Sequence, residues 1–176
     1  ARFHRKEYHV FAQGLIGAGI AILYLSVYAS FNFYHLVSQT SAFILMSAVT
    51  LIAFFHAFKY DSLAISLLGW AGGYLTPFML STGVANEIGL FTYIDILEAG
   101  LLAAVLIRQS WIILELLTLA GTYITFSLWN SEYYTEDALL LTVLFLTLFW
   151  VLFYIADLYR ILSKQELHPS IHRGRQ

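Results

Sequence analysis

Cysteine is absent from the 176 residues. That excludes disulfide frameworks, thiolate metal sites and cysteine nucleophiles. Charge is scarce: Asp, Glu, Lys and Arg make up 11% of the chain, against about 25% in a soluble domain. Net charge is only −2, so nothing points to a nucleic-acid partner. No glycine-rich loop leads into a Lys-Ser/Thr pair, so no phosphate cradle is expected. No serine–histidine constellation is evident, and no lysine lies in the core of an apolar run, which argues against a Schiff-base pigment. These absences predict no enzyme and no cofactor. No removable signal peptide is visible. The first residue is Ala1 rather than Met, as expected of a processed chain or a section of a longer one.

What is present is apolar: 60% of residues are hydrophobic and 17% aromatic. A soluble domain is about 45–50% apolar, so the composition predicts a membrane protein. Six apolar runs suit helices crossing about 30 Å of hydrocarbon. They lie at Val10–Ser30, Ser41–Phe58, Ser62–Leu80, Leu90–Ile107, Trp111–Trp129 and Ala138–Tyr159. No strict period-two alternation marks them, so helices rather than a barrel satisfy the backbone. The predicted class is all-α, a polytopic transmembrane bundle of about six spans. Residues 1–9 form a cytoplasmic N-terminal segment, 10–159 the membrane domain and 160–176 a cytoplasmic tail.

Charge asymmetry predicts the orientation. With both termini cytoplasmic, Arg2, Arg5, Lys6, Lys59, Arg108, Arg160, Lys164, Arg173 and Arg175 all fall inside, which accounts for all nine basic residues. The other side carries His35, Glu87, Glu132, Glu136 and Asp137. Phe31, Phe33, Tyr34, Trp129, Tyr133 and Tyr134 fit an outer aromatic belt, and Trp111, Tyr154 and Tyr159 an inner one. Trp70 and Trp150 fall near mid-membrane and read as packing residues. Gly14, Gly17 and Gly19, Gly69 and Gly73, and Gly100 with Ala104 are small residues that let helices approach.

The third run holds "WAGGYLTPFMLSTGVAN". Pro77 lacks an N–H and crowds the carbonyl of Gly73, and Thr76 is pushed from helical angles. Ser62 to Thr76 is 15 residues, about 22 Å of helix, too short to cross alone. The segment therefore kinks and continues, or turns back as non-helical chain. Thr76, Ser81, Thr82 and Asn86 are the groups at hand for the freed backbone. One outcome is a packing helix with a glycine-capped end at Gly83 and Asn86 capping the fourth helix, with Glu87 in its first turn. The other is a discontinuous helix lining a polar site.

These residues also carry a resemblance. Asp61-Ser62-Leu63-Ala64, Leu68-Gly69, Gly72-Gly73-Tyr74-Leu75-Thr76-Pro77, Leu80-Ser81-Thr82-Gly83 and Asn86 form the pattern, continued by Leu90-Phe91, Tyr93 and Gly100. With "GAGIAILYLSVYA" upstream and "GTYITFSLW" downstream, the chain resembles the bacterial polytopic membrane family called domain of unknown function 2339. The resemblance spans roughly Gln13 to Trp129. It implies a many-helix protein of the bacterial inner membrane, usually longer than this chain, and transfers no activity.

Acids inside the membrane are functional candidates, because an ionised carboxylate at the bilayer centre costs several kcal/mol unless paired, wet or protonated. Asp95 and Glu98 are three apart on one helical face. Glu115 enters the fifth run and lies seven residues from Arg108. His56 is the sole histidine well inside a run; it reads as packed or interfacial. His168 and His172 fall in a proline-containing tail. The candidate polar site is thus Gly73, Thr76, Pro77, Asp95 and Glu98, with His56 and Glu115 weaker. No metal is expected. The leading reading is a structural or accessory membrane module in a larger assembly, partnered by lipid and other membrane subunits. The alternative is an ion-coupled carrier working at the third and fourth helices.

Overall fold

A computed structural model describes residues 2–83 and 87–167. Among these residues there are six α-helices and no strands. They are α1 (Arg2–Asn32), α2 (Gln39–Tyr60), α3 (Leu63–Met79), α4 (Glu87–Ile107), α5 (Ile112–Tyr133) and α6 (Leu139–Leu167). Short 3-10 turns at Gln109–Trp111 and Glu136–Ala138 lead into α5 and α6. The all-α class holds. Both terminal helices run past the apolar runs, from Arg2 at one end to Leu167 at the other.

Five helices are long and apolar enough to cross a membrane. The third is not as long: α3 has 17 residues, about 25 Å, at the lower limit for a span. Large apolar side chains stand outward, such as Phe11 at 72% exposure and Leu140 at 77%. Lipid solvates such a surface and water does not.

The chain divides into two compact units, at residues 1–85 and 86–176. In the first unit α1, α2 and α3 pack pairwise. The buried face of α2 is Ala42, Met46, Val49, Thr50, Ala53 and Ala57. Its alanines bring the neighbouring backbones close. Gly69 lies against this face: a Cβ there would stand 3.2 Å from Ala53 Cβ. The α2–α3 turn is only Asp61 and Ser62. Asp61 takes the left-handed conformation (φ 48°, ψ 48°) that ends α2, and Ser62 Oγ accepts the Ile65 N–H at the start of α3. That turn reverses the chain within two residues.

In the second unit α4 packs against both α5 and α6. Its inner face follows the seam spacing Phe91, Ile94, Glu98, Leu101 and Val105, all buried. At one end Phe91 meets Trp129 edge-to-face at 4.7 Å and Phe145 at 5.0 Å. Phe126 and Phe149 complete the cluster.

Four expectations need correction. Thr76 keeps helical geometry: of the two outcomes open at Pro77, α3 takes the continuing one, passing through the proline and ending at Met79. A proline in the last turn removes one late hydrogen bond and leaves the rest of the ladder intact. Trp129 (4% exposed) and Trp111 (2%) are core residues rather than belt residues. Trp129 continues the inward stripe Thr118, Thr122 and Thr125 of α5, so its rotation is fixed by that stripe. Trp150 stands outward, at 58% exposure, stacked on Tyr154 at 5.3 Å. A Cβ at Gly14, Gly19 or Gly100 would meet nothing within 4 Å, so only some of the expected contact glycines carry a helix contact within the chain itself. The cap expected at Asn86, His168 and His172 lie outside the described residues.

Candidate functional site

Asp95 and Glu98 of α4 lie on its inner side. Glu98 has no accessible surface, although it sits in a helix of otherwise apolar core positions. Opposite it, α5 presents Leu114, Thr118, Gly121, Thr122 and Thr125, all buried. Spacings of four, four and three residues place Leu114, Thr118, Thr122 and Thr125 on one stripe, with Gly121 beside Thr122. The Thr122 hydroxyl donates to Glu98 Oε2 at 3.0 Å. Thr118 turns its hydroxyl to the Leu114 carbonyl at 2.7 Å. Glu98 Oε1 is buried and has no hydrogen-bond partner. Asp95, one turn earlier, is half-buried, and its Oδ1 is likewise enclosed and without a partner. Thr122 is the partner that spacing alone does not name, although threonines four and three apart in an apolar helix are its signal.

Glu115 is held elsewhere. It forms an ion pair with Arg160 of α6, which also reaches Asp157 Oδ1 at 3.5 Å. This pair ties α5 to α6 at the Arg160 end. Forty-five residues separate its members, so no local motif announces it. Between α5 and α6 lies an open groove of about 270 Å³, lined by Tyr123, Leu146, Thr147 and Trp150.

Gly73, Thr76 and Pro77 belong to the other unit. Thr76 is fully buried and donates its hydroxyl to the Gly72 carbonyl at 2.7 Å. Gly73 is buried and has an interaction partner of its own. The end of α3 is closed from α2: Gln39 Nε2 donates to the Leu80 carbonyl at 2.8 Å. Of the groups expected at this end, Ser81 Oγ accepts the Gly83 N–H at 3.4 Å, and Gly83 adopts φ 78°. Ser81 and Thr82 are exposed. The backbone near Pro77 is thus met by threonine and a glutamine.

His56 stacks on Tyr60 and meets Phe55 edge-on, with Nδ1 2.9 Å from the Ile52 carbonyl. That is a packing role on its own helix. Among the described residues no three His, Asp or Glu side chains gather as a metal site.

A junction not foreseen from the sequence joins the three helices of the first unit. Thr50 donates to the Met46 carbonyl at 3.0 Å. Its single proton is thereby used, so the Tyr24 hydroxyl donates to Thr50 Oγ1, at 2.7 Å. The Tyr24 ring lies against Gly72, where a Cβ would stand 2.2 Å from the ring carbon that bears the hydroxyl. Tyr24 and Gly72 both stand in the stretches that carry the family pattern.

The family model described as "Predicted membrane protein (DUF2339)" matches residues 1–164. The chain belongs to the DUF2339 family. It is therefore an integral membrane protein, in agreement with its five long apolar helices. No curated protein and no solved structure gives a significant match. For a DUF2339 chain the polar groups just described are thus judged by their own geometry.

Proposed function

We propose that this DUF2339 chain is a helix-packing module of the bacterial inner membrane, a subunit or section of a larger membrane assembly, without a catalytic step of its own. Both termini lie on the cytoplasmic side in this reading, because that places every basic residue there.

The observation that carries the reading is the outer face of α4. Ile96, Ala99, Gly100, Ala103 and Ile107 are all exposed and recur at helical spacing. A lipid-facing helix has no use for a flat alanine–glycine strip between two isoleucines. A neighbouring helix does, since close backbone approach replaces the hydrophobic drive that lipid does not supply. The inner polar groups support the same reading: Thr122, Thr76 and Gln39 bond within their own units.

The test uses the cysteine-free background. Single labels at Ala103→Cys and at Leu140→Cys are exposed to a quencher carried on lipid tails in native membranes. The label at Ala103→Cys should be shielded and that at Leu140→Cys quenched. Equal quenching would mean that α4 faces lipid, and the reading would fail.

A second reading, an ion-coupled carrier, is favoured by one observation: the unpartnered, fully buried Oε1 of Glu98. Loss of coupled flux in reconstituted Glu98→Gln protein would support it, and unchanged flux would remove it.

A further inference from the structure

The groups around Glu98 leave one of its oxygens unmet. Oε2 accepts from Thr122, and Oε1 has nothing within hydrogen-bonding reach. A buried carboxylate oxygen without a donor is costly in water-free surroundings, far more so than a neutral carboxyl. The basic side chains described in the unit are Arg108, ten residues beyond Glu98 and past the end of α4, and Arg160. On α4 the other ionisable side chains are Glu87, Tyr93 and Asp95. Between Glu115 and Glu132, α5 carries only Tyr123. From Leu139 to Phe153, α6 carries none. Arg160, the basic residue that reaches α5, is occupied by Glu115 and Asp157.

A hard metal cation does not suit the vacancy. Such ions take about six oxygens. Among the described residues of this unit, the buried side-chain oxygens left without a partner are Glu98 Oε1 and Asp95 Oδ1, far short of that number. A lone pair on Oε1 is enough for one proton.

We propose that Glu98 is a proton-binding site, its carboxyl carrying a proton on the side that no protein group meets while Thr122 positions the other oxygen. Asp95, on the same face with its own unmet Oδ1, is the acid to which that proton can pass. Two acids on one face that hold one proton between them carry a single charge instead of two. This inference stands whether the chain is a scaffold or a carrier.

The experiment is carbodiimide modification of the whole protein in lipid vesicles, since carbodiimides attack protonated carboxyls in apolar surroundings. The expected result is one modified residue per chain, at Glu98 by peptide mapping. Modification should fall as pH is raised, vanish in Glu98→Gln, and persist in Asp95→Asn. Sodium and lithium should give no protection. Protection by either ion would overturn the proton in favour of a metal cation. Infrared difference spectra supply a readout that needs no reagent access. A carboxylic-acid carbonyl band sensitive to deuterium should be present in the wild type and absent in Glu98→Gln. If Glu98→Gln does not fold, Glu98→Asp should shift the band instead. A wild type without that band has no protonated carboxyl, and the proposal is then wrong.

Discussion

At the scale of single residues, the glycines separate into those that hold a contact and those that do not. Gly72 is the tightest. A methyl group there overlaps the hydroxyl end of the Tyr24 ring, and that hydroxyl is already committed to Thr50. The ring cannot retreat without giving up that bond. Gly72→Ala should therefore destabilise the first unit, by about 1–3 kcal/mol as overpacking does. Gly14→Ala should be silent, because nothing lies within 4 Å of its added carbon. Thermal unfolding of both variants in one detergent checks the pair; equal midpoints would disprove the Tyr24 contact. Thr122→Val should weaken the α4–α5 seam by about 0.5–1.5 kcal/mol, the range of interhelical hydrogen bonds in membranes. Glu98→Gln should weaken it less, because an amide oxygen still accepts from Thr122. A larger loss in Glu98→Gln than in Thr122→Val would contradict the bond as drawn.

Elements show why some features are readable and others are not. The helices follow from their apolar runs, and Asp95 and Glu98 share a face by spacing alone. Facing partners are different. Which side of α5 meets α4 depends on helix rotation, so Thr122 emerges only once the stripe from Leu114 to Trp129 is seen to be buried. The same rotation takes Trp129 out of the expected aromatic belt. The Arg160–Glu115 pair and the Gln39 cap bridge distant parts of the chain, and no local pattern encodes them. Pro77 misleads for a local reason: the rule against helical proline concerns helix interiors, and this proline stands two residues from the end. Pro77→Ala should accordingly leave the unfolding midpoint unchanged or slightly raised. Gln39→Leu should leave the Leu80 carbonyl unmet, and amide hydrogen exchange should quicken at residues 80–83 while the middle of α3 stays protected. Unchanged exchange there would refute the cap.

For the whole molecule, the sequence foretells a membrane bundle, and the two three-helix units agree with it. What composition cannot tell is which apolar faces meet lipid and which meet protein, because both are hydrophobic. Size discriminates better: bulky residues suit lipid, and a flat strip such as Ala99, Gly100 and Ala103 suits a helix. The central claim is that this strip is an assembly surface. The most direct test is the mass of the particle extracted from native membranes with its lipid annulus, for the wild type and for Gly100→Leu. The wild-type particle should be larger than one chain, and it should dissociate in Gly100→Leu with the helical content retained. A wild-type particle containing a single chain, or an assembly indifferent to Gly100→Leu, would contradict it.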